Sequence, residues 1–498
     1  MSLSLYDSRR RAVVPFASIE PGRVRMYNCG PTVYSTAHVG NFRSFLLADL
    51  LRRHLEWSGY DVLQVMNITD VGHLTEDDRA DGDGEDKLLA AARQHGWDPF
   101  QVARHFEDAF HVDRRRLGFL DAHHYPRATE HIPEMVEMIR TLLDRGHAYE
   151  AGGEVYFDVS SFPAYGALSG RRLDEQRPGA RVEVHPHKRS PEDFALWKRD
   201  AAHLMQFDPG NPDLARGFPG WHIECSAMAR RYLGETFDVH TGGEDNLFPH
   251  HECEIAQSTA ATGEPLSRWW LHTKHLLVDG KKMSKRAGTA YTLDDLVGKG
   301  FEPAVVRFAL LSHHYRRPMN LTDEALRAAR TTVRRLQTTH DELRAKAEDS
   351  VPSHLDSAQR LLAEFGAALD DDLDMPRALV SVFAAVSEWN RSELLPSESA
   401  AALAALRRVD DVLGVIERQA RPLKLDLEEL EAYPEMPLKA ALTSLERGEP
   451  GPALAARHRA RISRDWSTAD RVREALADLG FEVRDTAEGV AWRVGSGR

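Results

Sequence analysis

Three clusters of reactive side chains stand far apart in the sequence, and each has the composition of a binding site. The first is His38-Val39-Gly40-Asn41. It follows a stretch from Val24 to Asn28 that reads as a short strand and a turn at Cys29-Gly30-Pro31-Thr32. It opens an amphipathic helix, Phe42 to Trp57, carrying Phe45, Leu46, Leu50, Leu51 and Leu55. Strand, turn and helix put the cluster at the carboxyl edge of a parallel sheet, beside free helix amides that favour anions. Gly40 would let a ligand approach the backbone, and the His38 imidazole could donate to phosphate oxygens. The second cluster, Lys281-Lys282-Met283-Ser284-Lys285-Arg286-Ala287-Gly288, gathers cations around a glycine-ended loop, as the departure of pyrophosphate requires. Taken singly, each has a plainer reading, as a surface histidine beside a cap glycine and as a solvated basic loop.

The third cluster turns on the cysteines, which are only three, Cys29, Cys225 and Cys253. That is too few for a disulfide framework and suits a reducing cytosol. In Pro249-His250-His251-Glu252-Cys253-Glu254, His250 and Glu254 stand four apart on one helical face. Two thiolates, an imidazole and a carboxylate can hold zinc. The same residues can equally be small buried hydrophobes and an ordinary surface pair, and without a C-x-x-C clamp the spacing leaves both readings open.

In this order, H-x-G-N followed by K-M-S-K resembles the two signatures of class I aminoacyl-tRNA synthetases. Further stretches resemble signatures of the cysteinyl-tRNA synthetase family: Asn28 to Tyr34, Asn67-Ile68-Thr69-Asp70-Val71, Gly220 to Met228, His240-Thr241-Gly242-Gly243-Glu244-Asp245, and Phe248 to Glu254. The resemblance implies a zinc ion on Cys29, Cys225, His250 and Glu254 that senses the substrate thiol. Zinc prefers soft sulfur, whereas a methylene-sized pocket discriminates by only about 1–3 kcal/mol. It also implies that Gly30, Thr69, Trp221 and Asp245 receive cysteine, with Asp245 on its ammonium group and Gly242 and Gly243 letting the ligand approach. His38, Gly40, Asn41, Lys282, Ser284 and Lys285 would bind ATP with magnesium, and His38, Asn41, Lys282 and Lys285 would carry catalysis.

The tail extends the likeness. Arg464 to Arg473, then Leu479-Gly480 and Asp485-Thr486, resemble the family's anticodon-reading module, and by position Arg461, Trp466, Asp470 and Asp485 would contact the anticodon of tRNA(Cys). Trp466 could instead be a buried anchor. Three departures stand out. Asn41 replaces a second histidine, Arg286-Ala287-Gly288-Thr289 replaces the commoner Ser-Leu-Gly-Asn, and Cys253 stands near enough to Glu254 to compete for a metal, with Glu254 preferred. The implied reaction joins L-cysteine to tRNA(Cys) through cysteinyl-adenylate at the expense of ATP. Rival readings are a shortened cysteine ligase acting on an amino sugar in mycothiol synthesis, and a silent paralogue that binds RNA or senses cysteine. The tail speaks against the first, and the intact His38, lysines and candidate ligands against the second.

These clusters need a scaffold that returns distant segments to one edge. The expected fold is α/β, a Rossmann-like parallel sheet with an insertion, followed by a helical bundle and a small mixed carboxyl-terminal domain. The strands are expected near Val24–Asn28, Val62–Met66 and Phe237–Thr241, with helices over Lys87–Arg116 and Ile132–Arg145 and a single helix from Ala453 through Leu479. The expected division is 1–126 and 204–302 for the two catalytic halves, 127–203 for an insertion holding the tRNA acceptor end, 303–425 for a bundle against the tRNA stem, and 426–498 for a linker and anticodon domain. Residues Glu76 to Asp86 form an acidic loop without the bidentate glutamate of a calcium site, and His185 and His187 flank Pro186 in a loop.

A length of 498 residues implies several domains, and 42% hydrophobic residues suffice for large cores. No apolar run approaches the roughly 20 residues that span a bilayer, and no signal peptide follows Arg9-Arg10-Arg11. A cytoplasmic monomer without membrane contact is expected. The net charge of −13 excludes a generally adhesive nucleic-acid binder, so RNA must meet local basic patches such as Arg327, Arg330, Arg334 and Arg335, or Arg457, Arg459, Arg461 and Arg464.

Overall fold

Strand β1, Arg23–Asn28, is the inner strand on which the signature turn is built. In the computed structural model it pairs in parallel with β2, Asp61–Met66, on one side and with β3, Phe237–Gly243, on the other; β4, Ser267–Thr273, adds to β3, again in parallel. The order β4–β3–β1–β2 brings residues more than 200 positions apart side by side at one sheet edge. Val24, Met26, Tyr27, Phe237 and Val239 are fully buried, as expected for strands covered on both faces.

The structure describes residues 3–71, 86–171, 187–200, 203–210, 214–283, 290–347, 349–416, 423–426, 436–446, 451–478, 481–486 and 489–494. The acidic stretch from Glu76 to Glu85, His185, Ser284 and Lys285 lie outside them, as do the side chains of Lys282 and Asp485. Contacts divide the chain into two units, 1–416 and 417–498.

Helix α1, Val39–Trp57, follows β1 and buries Phe42, Leu46, Leu51 and Leu55 against the sheet. Two further helices face it across the site: α2, Trp221–Leu233, and α3, His250–Thr262. Beyond β4 the chain forms β5, Leu276–Val278, turns back into the two-residue β6, Lys281–Lys282, and later adds β7, Met319–Leu321, in parallel to β5. The insertion is a small antiparallel sheet of Ala148–Ala151, Glu154–Phe157, Phe194–Lys198 and Phe218–Pro219. The bundle comprises Pro303–Leu311, Asp323–Ala347, Asp356–Leu369, Met375–Trp389 and Pro396–Leu413. It is tied to α1 by buried Arg307, which donates to Asp49 Oδ2 at 2.6 Å and to the Leu413 carbonyl at 2.6 Å.

Two sequence expectations need correction. Lys87–Arg116 is not one helix but two, Lys87–His95 and Pro99–Arg116. Gly96 ends the first with a φ of 67°, and Asp98 caps the second, with Pro99 in its first turn. The tail helix is likewise broken into Gly451–Ile462 and Trp466–Asp478, with Arg464 between them at a φ of 61°, where the backbone cannot continue a helix. This second unit has a core of Ala453, Leu454, Ala455, Val472 and Leu476. Its sheet runs Leu423–Asp426, Gly489–Val494, Phe481–Thr486, so residues 423–425, expected at the end of the bundle, belong to this unit. Among the described residues no helix is long and apolar enough to cross a membrane.

Candidate active site

His38 and Asn41 hold each other. His38 caps α1, with Nδ1 accepting from the Asn41 amide at 3.2 Å, while Asn41 Oδ1 accepts from the His38 amide at 3.0 Å. The amide side chain thus completes a capping box, which orders the anion-favouring end of the helix. Both margins of the lysine signature dock here. The Val39 amide donates to the Tyr291 carbonyl at 2.9 Å, and Met283 Cε lies 2.0 Å from where a Cβ on Gly40 would stand. Gly40 therefore admits a neighbouring side chain, Met283, besides any ligand. Lys282 lies in β6.

A cavity of about 400 Å³ opens beside this corner, lined by Cys29, Gly30, His38, Gly40, Asn41, Trp221, Asp245, Lys274 and His275 among others. It is large enough for an amino acid and part of a nucleotide. Lys274 Nζ pairs with Glu244 at 2.6 Å, and His275 Nδ1 lies 3.3 Å from Asp245, so the rim is charged and solvent-reached.

Beneath it lies a buried cluster. The ligand atoms of Cys29, Cys225, His250 and Glu254 fall within 4.8 Å of one another, delivered by the β1 turn, α2 and α3. His250 Nδ1 is engaged by His222 at 2.9 Å. Its Nε2, buried and without a well-aligned hydrogen bond, lies 3.0 Å from Glu254 Oε1. Burial and the Cys225 thiol push Cys29 up, while the hydrogen bond from Cys29 lowers Cys225 to about 6 against burial. Burial disfavours charge on His250 and Glu254, yet Glu254 and Cys225 raise His250 to about 10. His240 and His250 draw Glu254 down to about 2. A polar quartet of this donor set, with an imidazole nitrogen aimed inward, fits a metal ion.

A second group, Cys29, His240, His251 and Glu254, also falls within 4.8 Å. In it His240 Nε2 is engaged with Glu254 Oε2 at 2.8 Å, and His251 is held by His272 at 2.8 Å, which contacts Ser8 Oγ at 2.7 Å. These histidines escaped the sequence reading. The local signal was limited to His251 standing next to His250. Cys253 turns away, 3.4 Å from the Tyr165 hydroxyl, and belongs to neither group.

Trp221 opens α2, lines the cavity and stacks on His250 with ring centres 4.2 Å apart. Gly30 and Gly242 are explained by protein, not ligand: a Cβ on Gly30 would stand 1.8 Å from the Asn67 carbonyl oxygen, and one on Gly242 2.7 Å from the His251 ring. Thr69 is buried, with its hydroxyl donating to Glu224 at 2.9 Å, and its backbone laces the signature turn through Pro31 and Val33. The basic patch on the bundle helix Asp323–Ala347 is largely paired: Arg330 and Arg334 meet Glu302 at 3.4 and 3.3 Å, and Arg327 meets Asp323. In the second unit Trp466 is 55% exposed, which overturns the buried-anchor alternative, and the Arg461 guanidinium lies 5.8 Å from its ring centre. Asp470 pairs with Arg473 at 3.1 Å.

Residues 15–331 match the family model described as the class I (C) tRNA synthetase catalytic domain, 364–417 the DALR domain, and 453–493 the cysteinyl-tRNA ligase anticodon binding domain. The fold is that of a solved Mycobacterium tuberculosis methionyl-tRNA synthetase in complex with methionyl-adenylate, with a TM-score of 0.57 at 16% identity over 79% of this chain and 92% of that one. An Agrobacterium radiobacter LeuRS in a ternary complex gives 0.57 at 12% identity, over 80% and 85%. Sheet, signature pair and catalytic-domain match define a class I aminoacyl-tRNA synthetase. Curated relatives are more specific: the cysteine–tRNA ligase of Thermus thermophilus is 43% identical over 99% of this chain and all of its own length, and that of Chlorobaculum tepidum 40% over 99% of each. The chain belongs to the cysteine–tRNA ligase family.

Proposed function

We propose that this protein activates L-cysteine with ATP and transfers it to the 3′-terminal adenosine of tRNA(Cys). The observation that carries the reading is one cavity lined both by Cys29 of the thiol-rich cluster and by His38 of the nucleotide signature. The cysteine carboxylate attacks the α-phosphorus, forming cysteinyl-adenylate and releasing pyrophosphate; the terminal ribose hydroxyl of the tRNA then takes the cysteinyl group and AMP departs. No covalent enzyme intermediate is needed, and the chain works by positioning and electrostatics.

His38 and Asn41, with the α1 amides, hold phosphates, while Gly40 keeps the corner open. Lys282 and Lys285, with Ser284, meet the charge that develops on pyrophosphate, whose magnesium arrives with ATP. Asp245 receives the substrate ammonium, Trp221 walls the pocket, and Gly30 and Thr69 shape the turn beneath it. Cys29, Cys225, His250 and Glu254 would hold zinc; when bound, zinc supplies a borderline-soft Lewis acid that favours a thiolate over a neutral hydroxyl. The first quartet is preferred to the second because it offers two sulfurs, and because His222 already fixes the outward nitrogen of His250. In the tail, Arg461, Trp466, Asp470 and Asp485 read the anticodon, with Trp466 as a stacking face. We assign 1–126 and 204–302 to catalysis, 127–203 to the acceptor end and 303–416 to the stem; because Leu423–Asp426 joins the sheet of the second unit, the anticodon module takes 417–498 in place of the expected 426–498, in a cytoplasmic monomer.

The deciding experiment is cysteine-dependent ATP–pyrophosphate exchange on metal-analysed protein, with serine as competitor, followed by charging of purified tRNA(Cys). Exchange with charging is expected. Exchange without charging would favour the amino-sugar ligase, and no exchange on metal-loaded protein the silent paralogue.

A further inference from the structure

Arg43 stands five residues after His38 on α1 and is 4% exposed, yet among the described residues no acid accepts a hydrogen bond from it. Its guanidinium is spent instead on the segments that frame the lysine signature. Nε donates to the Lys274 carbonyl at 3.1 Å, at the junction of β4 and β5. Nη2 donates to the Arg317 carbonyl at 2.8 Å and reaches the His314 carbonyl at 3.5 Å, and Nη1 meets Met319 Sδ at 3.1 Å and the Leu310 carbonyl at 3.4 Å. Met319 begins β7, which pairs with β5 from Leu276↔Met319 to Val278↔Leu321, and β5 in turn pairs with β6 through Leu277↔Lys282 and Val278↔Lys281. The turn between β5 and β6 has φ values of 48° at Asp279 and 75° at Gly280, and the Gly280 amide donates to Asn320 Oδ1 at 2.8 Å. One planar fork therefore joins the helix that carries His38 and Gly40 to the base of the hairpin that carries Lys281, Lys282 and Met283.

We propose that Arg43 is a positioning residue for adenylate formation. It fixes the β5–β6 hairpin at the height on α1 where Met283 seats on Gly40, with Asn320 holding the hairpin's other end. A guanidinium suits this task because its five donors, fixed in a plane on three nitrogens, reach carbonyls spread over several segments, whereas lysine gathers its three donors on one nitrogen. Burial lowers Arg43 to about 10, still above neutrality, so the charge and all donors persist in use. The inference rests on the synthetase reading given above. It predicts that loosening the hairpin harms the step that needs the lysine signature and spares cysteine binding, because none of the described contacts of Arg43 reaches the thiol-rich cluster.

The test compares wild type, Arg43→Lys and Asn320→Ala in pyrophosphate exchange, in single-turnover transfer from isolated enzyme-bound cysteinyl-adenylate to tRNA, and in thermal unfolding. Arg43→Lys is expected to lower the kcat of exchange by about tenfold or more, with KM for cysteine and the transfer rate held within about twofold. Asn320→Ala, an exposed contact that does not threaten folding, is expected to lower kcat by about threefold with the same split. Unchanged exchange in both variants overturns the inference. So does a parallel fall of exchange, transfer and unfolding temperature, which marks a merely structural staple. If Arg43→Lys does not fold, Asn320→Ala decides alone. Wild-type protein without exchange removes the synthetase reading and this inference together.

Discussion

At one end of the cavity Cys225, His250 and Glu254 are almost wholly buried and Cys29 is 8% exposed, and they are clasped by His222, His240 and His251 in layers that reach Ser8. At the other end Asn41, Asp245 and Lys274 are exposed and His38 is half-buried, each paired with a neighbour that solvent also reaches. The buried end pays desolvation in advance and gains a fixed donor geometry, as recognition of one atom type demands. The open end keeps its groups in weak, exchangeable pairs, which a triphosphate can replace at little cost. Under the proposed function, selectivity and turnover are thus assigned to separate ends of the cavity.

The largest expected effect breaks the buried end. Cys225→Ser should abolish stoichiometric metal and lower cysteine-dependent exchange on the order of a thousandfold, since a hydroxyl does not replace a thiolate toward a soft cation. Metal analysis beside the exchange assay checks it; full activity with no bound metal would assign the cluster a structural role only. At the open end His38→Ala should lower kcat of exchange by about 10²–10³-fold with KM for cysteine nearly unchanged. A rise confined to the cysteine KM would show that the two ends are not separate.

A smaller change tests the tail. Trp466→Ala should raise the KM for tRNA(Cys) by about tenfold, one stacked base being worth roughly 1–3 kcal/mol, and leave exchange untouched. Equal loss in both assays would count against a role in RNA contact. The smallest effect concerns Asp70, buried beside the signature turn and accepting from the Thr129 amide and hydroxyl at 2.9 and 2.6 Å. Burial raises it from 3.8 to about 6 despite those bonds. Its neutral form therefore contributes stability that is full below about pH 4 and lost as pH rises through about 6. Asp70→Asn should unfold at a higher temperature than wild type near pH 8 and at the same temperature near pH 4, as thermal scans at the two values would show.

Much of this arrangement could be read from residue order. The strand before Cys29 and the helix after His38 were visible because apolar periodicity and turn residues are local signals; the four-residue spacing put His250 and Glu254 on one helical face, but the full set with Cys29 and Cys225 came only from the family resemblance. What escaped depends on distant partners. Arg43 sits on a helix amid ordinary charged neighbours, and nothing local says that its fork is buried among carbonyls of residues 274–317. His222, His240, His251 and His272 come from four different elements, and no local pattern says that these converge. Glycine was read only halfway: at Gly30 and Gly242 the missing side chain makes room for Asn67 and His251, a demand no turn pattern encodes. The tail helix was drawn straight through Arg464 because arginine is a good helix former, and a positive φ there is set by the packing of the two shorter helices.

The order of strands in the second unit has a consequence for how that unit comes into being. Its middle strand, Gly489–Val494, is the last of the three in sequence, and among the described residues the outer two, Leu423–Asp426 and Phe481–Thr486, pair with it and not with each other. During synthesis from the amino terminus no partial sheet can form and wait. Both outer strands await Gly489–Val494 for the pairings described, and a chain cut after Thr486 would lose all of these in one stroke.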